Sequence, residues 1–549
     1  MPRVLASLFL AASTALTVAF MAPVSRAQTP GAPSPTQAGT LFQSSSVCMT
    51  CHNGLTTPSG EDVSFGTSWR ASMMAHSARD PYWQAGVRRE VTDHPRAQAA
   101  IENECSRCHM PMAHVQTQAL GRLQSVFPNI PAGDGGTAPD PLAVDGVSCA
   151  LCHQITSDAL GTRSSFTGGF VVETTTPPDG RRIFGPYEVE RGPSSIMRSA
   201  TGLQPTVATH IQQSEVCATC HTLYTHALNA AGEPIGEFPE QMPYQEWLHS
   251  EFRNTQSCQA CHMPVITQPT PITSVLGQPR EQVSRHDFRG ANFLMLGVLN
   301  RFRSELGVVA RPAEMDAAIM RTKAFLQSST AEVAVERVQF VQDRLEADIL
   351  VRNLAGHKLP TAYPSRRAWL RVTLRDAQDR LVFSSGELQP TGAIAGNDND
   401  EDAARFEPHY REIRSGDQVQ IYEAIMGTEA GRVTTGLLSA VSYLKDNRIL
   451  PRGFDKRTAP GDVAVHGDAL ADQDFGAGED RLRYSIDTAG ASGPFTIEVQ
   501  LWYQSIAYRW AENLRAYGAA ETKRFVSYYD KSASASALTL TRVVRTAAR

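Results

Sequence analysis

Cys48-Met49-Thr50-Cys51-His52 is the first of five pentapeptides built to one pattern, two cysteines separated by two residues and followed at once by histidine. The others are Cys105-Ser106-Arg107-Cys108-His109, Cys149-Ala150-Leu151-Cys152-His153, Cys217-Ala218-Thr219-Cys220-His221 and Cys258-Gln259-Ala260-Cys261-His262. Together they use all ten cysteines and five of the 15 histidines. Two thiols at this spacing can form thioether bonds to the two vinyl groups on one porphyrin edge, and the adjacent histidine can then bind iron from one face. Zinc ribbons would combine the cysteine pairs in twos, leaving one pair over and five histidines without a task. Redox dithiols and disulfides make no demand for a following histidine. The pattern predicts five covalently attached haem c groups, with His52, His109, His153, His221 and His262 as proximal iron ligands.

Five such groups between residues 48 and 262 leave too little chain for separate haem domains, so haem faces must supply the core that aliphatic side chains supply elsewhere. Residues 72–91 and 242–252 read as short helices, 129–141 and 173–181 as loops, and no strand alternation stands out before residue 330. Residues 292–327 read as one helix closing this part. From residue 331 the apolar period changes to two, in 333–341, 345–352, 368–374, 380–383, 495–501 and 537–544, with a helix at 507–518. The fold class expected is multidomain α+β: a mainly helical and loop pentahaem domain over 41–330, then an antiparallel β-sandwich-like domain over 331–549.

The chain has 549 residues, 42% of them apolar and 19% charged, as in a globular protein of two or three domains. A net charge of -5 without a basic run excludes nucleic acid as a partner. Residues 1–27 read as an export signal, with Arg3 before an apolar run and small residues at Ser25 and Ala27; residues 28–40, rich in proline, read as a flexible tether. No later stretch approaches a membrane span, so membrane contact is expected only through a partner or an uncleaved signal.

The ten remaining histidines decide the second axial sites. His286 in Arg-His-Asp-Phe-Arg-Gly-Ala-Asn and His357 in Gly-His-Lys-Leu-Pro-Thr sit where glycine and proline favour a turn that aims the ring. His114 follows the second motif, His210 precedes the fourth, and His226 and His249 complete the candidate set, with His76 in reserve. His94, His409 and His466 read as surface or hydrogen-bonded rings. Met110 and Met263 follow motif histidines and cannot reach the opposite face of the same haem, so they read as packing at its edge.

The motifs, the repeated Cys-His-Met-Pro at 108–111 and 261–264, Tyr244-Gln-Glu-Trp-Leu-His-Ser250 and the segments around His286 and His357 together resemble exported multihaem cytochromes c of the cytochrome c-552/4 type. That group is similar in haem packing to hydroxylamine oxidoreductase and pentahaem nitrite reductase proteins, and the resemblance spans roughly residues 41–364. It implies that later histidines serve earlier haems, which favours His286 and His357. The sequence departs from the nitrite reductases in having no lysine-terminated motif, and it has no tyrosine pattern matching the hydroxylamine oxidoreductase cross-link.

Asn397-Asp-Asn-Asp-Glu-Asp402 lacks complete EF-hand spacing and reads as a solvated acidic loop, a calcium loop being the alternative. No hydrolase pattern is present and no catalytic residue is assigned. The expectation is a periplasmic or otherwise exported electron carrier with mostly bis-histidine haems, serving redox partner proteins. The alternative is an oxidoreductase acting on a small nitrogen or sulfur oxyanion at one open-site haem.

Overall fold

The computed structural model describes residues 40–131 and 138–548; the expected signal at 1–27 and all but the last residue of the tether lie outside the described residues. The first half is made of short helices and loops. The motifs sit on or at the ends of the helices Ser45–Met49, Gln98–His109, Cys149–Cys152, Ser214–Ala218 and Cys258–His262. In three of them the histidine N–H donates to the carbonyl of the first cysteine, at 3.0 Å for His52, 3.0 Å for His153 and 2.9 Å for His221. That single turn brings residues i, i+3 and i+4 to one side, which is what two thioethers and an iron ligand require.

Several local expectations are corrected. The helix expected over 72–91 begins only at Pro81 and runs Pro81–Asp93, because the Asp80 carboxylate caps it by accepting from Tyr82 N and Trp83 N, and Pro81 suits its first turn. The segment 292–327 is two helices, Phe293–Arg301 and Pro312–Ser329, broken around Gly307 with φ +63° and restarted at Pro312. The helix at 507–518 shortens to Tyr508–Asn513 with one tighter turn after it, and a second helix, Ala520–Asp530, follows. Strands do occur before residue 330: Leu223–Leu228 and Pro234–Gln241 form an antiparallel hairpin, and Arg181–Gly185 pairs in parallel with Leu203–Val207. These strands are short, interrupted by Pro205, Pro234 and Pro239, and carry few alternating apolar residues, Ile235 and Val207 being exposed.

The long strands begin with Ala331–Val341. One sheet joins Glu412–Ile413, Glu479–Asp487, Arg344–Asn353 and Ala331–Val341; the other joins Leu381–Ser385, Arg367–Arg375, Phe495–Gln504 and Ala537–Ala547. Pairing is antiparallel except at Glu412–Ile413, which runs parallel to Arg483 and Tyr484. Alternate residues point inward: Phe495, Ile497, Val499 and Leu501 from one sheet meet Leu345, Ala347, Ile349 and Val351 from the other in a single buried core. That core continues without a break into Leu299, Met315 and Leu326 of the two helices and Phe238 and Tyr244 of the first half.

The acidic stretch is solvated only in part, Glu401 and Asp402 being exposed and Asp400 buried. Asp398–Glu401 is a short helix capped by Asn397, and the buried Asp400 receives both Arg367 guanidinium nitrogens at 2.9 Å and Ile394 N at 2.8 Å. Its carboxylate is a buried counterion on the face of the second sheet that turns away from the sandwich core.

Candidate functional site

All ten cysteines and all five motif histidines line one continuous cavity of about 1980 Å³, well beyond the roughly 300–1,000 Å³ of an ordinary small-molecule pocket. Its walls are largely apolar, including Trp69, Met73, Leu151, Phe184, Leu296 and Phe325. None of the cysteines forms a disulfide. Thiols of different motifs meet instead, Cys48 beside Cys149, Cys108 beside Cys220 and Cys217 beside Cys258, so neighbouring motifs abut in the order one–three, two–four, four–five.

The imidazoles are prepared to bind metal. Nδ1 of His52 lies 2.6 Å from Ile272 O, that of His109 2.9 Å from Ser77 O and that of His153 2.6 Å from Phe184 O, while His262 makes the same contact with Arg289 O. A carbonyl only accepts, so the proton must sit on Nδ1 and the Nε2 lone pair is left free. Burial pushes His109 and His221 down to about 4, which keeps both rings neutral near pH 7.

Two of the sequence-selected histidines face motif histidines across the cavity. The rings of His153 and His286 are 6.2 Å apart and 15° from parallel, and those of His262 and His357 are 6.2 Å apart and 16° from parallel. This is too wide for stacking contact. It equals the spacing of two imidazoles on opposite sides of one metal, with a metal–nitrogen bond of about 2 Å and about 1 Å more to each ring centre. His286 and His357 also donate through Nδ1 to carbonyls, Ser284 O at 3.1 Å and Lys358 O at 3.0 Å, leaving Nε2 free.

The other four are placed differently. His226 lines the cavity but is half-exposed on its hairpin, with Nε2 3.8 Å from Glu237. His114, His210 and His249 are not among the residues lining this cavity. His114 donates from Nδ1 to Ser106 Oγ at 2.8 Å, since that hydroxyl gives its own proton to Asn103 O. His210 donates through Nε2 to Ile155 O at 2.8 Å, and His249 through Nδ1 to Gln245 O at 2.7 Å. Two histidines set lower by the sequence are more notable: His76 and His94 are buried, and neither ring nitrogen of either has a hydrogen-bond partner. Only their burial distinguishes them, and no local pattern announces it.

These features fit haem c. The thiols are free and paired at the right spacing, four of the five motif imidazoles offer an Nε2 lone pair among apolar walls, and two further imidazoles stand 6.2 Å from motif rings. A second group of possible metal ligands, His409, Asp472 and Asp480, is buried in the strand-rich half. Gln420 Nε2 and Asn447 Nδ2 both point at His409 Nδ1, at 3.0 and 3.1 Å. Nδ1 must accept, so Nε2 carries the proton and donates to Asp472 at 3.3 Å, which leaves no lone pair for a cation.

No family model matches this sequence, and no match was found among curated proteins. The fold is nevertheless similar to a solved structure, a penta-heme cytochrome c552 from Thermochromatium tepidum, with a TM-score of 0.51 and 15% sequence identity over 92% of this chain and 99% of that one. A match of that extent takes in the strands after residue 331 as well as the cysteine-bearing half, and at this identity it establishes that this mixed α+β chain has the fold of a penta-heme cytochrome.

Proposed function

We propose that this protein is an exported multihaem cytochrome c that relays electrons through five covalently attached haems. The observation that carries the reading is the convergence of ten cysteines and five motif histidines on one cavity. In this reading each cysteine pair anchors one haem and the following histidine binds its iron. His286 together with His153, and His357 together with His262, would hold a haem iron between paired imidazoles. Bound haem supplies one-electron chemistry at iron. The chain's part is to hold the imidazoles as neutral Nδ1–H tautomers, to exclude water with apolar walls, and to set neighbouring motifs against one another so that electrons pass along the array to redox partner proteins. His76 and His94, buried without other partners, are the further imidazoles that this reading enlists.

A second reading has one specific support. Among the described residues, His52, His109 and His221 have no second imidazole at the spacing seen for His153 and His262. An iron with an open sixth site at one of them would make the protein an oxidoreductase for a small nitrogen or sulfur oxyanion.

The mass of the denatured protein and an electron paramagnetic resonance spectrum of the oxidised protein test both. Electron relay requires five haems retained through acid-acetone extraction, an almost wholly low-spin spectrum and slow carbon monoxide or cyanide binding. One stoichiometric high-spin haem with rapid nitrite or hydroxylamine reduction would transfer the assignment to the enzyme.

A further inference from the structure

The strands Arg367–Arg375 and Phe495–Gln504 pair with Arg367 opposite Gln504, so Arg366 and Ser505 leave the sheet side by side. The Ser365 hydroxyl donates to Ser505 O at 3.1 Å and Ala507 N to Ser365 O at 2.9 Å, closing this end of the sheet. It abuts the cavity: Arg366, Tyr503 and Ser505 line it, and Tyr363 and Tyr82 border them, their rings 5.7 Å apart edge to face.

Donors gather here without acceptors. The hydroxyls of Tyr82, Tyr503 and Ser505 have no hydrogen-bond partner, and Tyr503 and Ser505 are buried. Arg366 gives one N–H to Thr361 O at 3.1 Å, and among the described residues it has no carboxylate partner within ion-pair distance. Its charge is felt by Tyr503, His221 and His357. Glu90 and Glu240 act on Tyr363 from the side of Cys105, so the positive region centres on Arg366, Tyr503 and Ser505. Buried hydroxyls are ordinarily satisfied, and the half-buried Arg366 lines the cavity with most of its N–H groups uncommitted. Unpartnered hydroxyls around an unpaired guanidinium therefore form a receptor for an acceptor-only, negatively charged group.

We propose that Arg366, Tyr503 and Ser505, with Tyr82 at the margin, form an oxyanion cradle in the cavity wall beside His221. The ligand class is an oxygen-bearing anion, either a small free oxyanion or the carboxylate of a haem side chain. The proposal rests on haem filling the cavity, which the haem count tests separately, so the experiment uses only protein carrying its full complement of haem.

Visible spectra and haem midpoint potentials are recorded with increasing sulfite and with increasing nitrite, in the wild type and in Arg366→Gln, Arg366→Lys and Tyr503→Phe. A free-oxyanion site gives a saturable shift at one haem in the wild type, weakened about tenfold or more in Arg366→Gln and partly restored in Arg366→Lys. A haem-carboxylate site gives no response to added anion, but one midpoint potential falls in Arg366→Gln, because losing a nearby positive charge relieves the oxidised iron more than the reduced one; Arg366→Lys restores it. Tyr503→Phe moves in the same direction as Arg366→Gln in either case and removes no charge, so it stands in if Arg366→Gln fails to load haem. Wild-type insensitivity to both anions, combined with unchanged potentials in all three variants, would overturn the cradle.

Discussion

An imidazole offers a metal its lone pair only when its proton is committed elsewhere, and in this protein backbone carbonyls make that commitment for six rings, His52, His109, His153, His262, His286 and His357. His286→Ala and His357→Ala should each convert one haem from low to high spin and leave the others unchanged, read by electron paramagnetic resonance; two wild-type spectra would show that these rings only pack. Glu240 provides a pH test at the same scale. It is buried, accepts from Thr225 Oγ1 at 2.5 Å and from Gln241 Nε2 at 2.9 Å, and burial pushes it up to about 7. Its folded value lies above the unfolded one, so the folded state binds more protons between about pH 4.5 and 7 and stability falls as pH rises through that window. The loss amounts to about 3 kcal/mol at most. Glu240→Gln should flatten that slope in denaturant titrations at pH 5 and 7.5, and an equal slope in both proteins would show that another group titrates.

At the scale of elements, the loop carrying His357 is held by a buried ionic network. Glu246, on the helix Pro243–Leu248, accepts from Lys358 N at 3.1 Å and Thr361 Oγ1 at 2.5 Å and pairs with Arg448 at 3.0 Å. Asp446, ending the strand Ser442–Asp446, accepts from Lys358 Nζ at 2.7 Å and Arg448 Nη2 at 2.7 Å. Burial alone would raise the Asp446 carboxyl, but Arg448 and Lys358 outweigh it and hold the group well below the usual carboxylate range. Removing one member strands the others, a loss of about 3–5 kcal/mol for a broken buried pair. Glu246→Ala should therefore lower the denaturation midpoint and also loosen His357, appearing as partial high-spin character at one haem. Glu246→Gln, which can still accept from Lys358 N, should retain more of the low-spin signal; identical spectra for Gln and Ala would separate the network from the histidine.

For the whole molecule, the sheets pack on a core that extends into the first half, whereas the motif-bearing chain, with small apolar clusters of its own, surrounds a cavity. The two sheets bury Leu345, Ile349, Leu370, Val372, Ile497 and Val499 against one another, whereas Trp69, Leu151, Phe184 and Phe325 face the cavity. Apolar walls of that extent collapse unless something fills the space between them. Chain made without haem attachment should be colourless and cut by proteases within residues 40–290, while residues 331–548 resist; mass mapping of the fragments checks this. Uniform resistance of the colourless chain would show that haem is not what holds the first half open.

The five pentapeptides by themselves carry the attachment chemistry that the proposed function rests on, because the spacing of cysteines and histidine is local and one helical turn satisfies it. Local alternation likewise made most long strands legible, from 333–341 to 537–544; Glu479–Asp487 is missing from that reading although its Leu482, Tyr484 and Ile486 alternate with polar residues in the same way. Which imidazole faces which depends on contacts over long sequence separations, so His286 and His357 could be selected from their turns but not matched to His153 and His262 without the fold. The same reason left His76 in reserve and His94 unchosen, since their burial is tertiary, and it hid the use of Asp400 as the counterion of Arg367. Tertiary structure alone carried the end of the second sheet to the cavity and placed Arg366 beside Ser505 there, since strand pairing brings together residues that nothing in the local sequence connects.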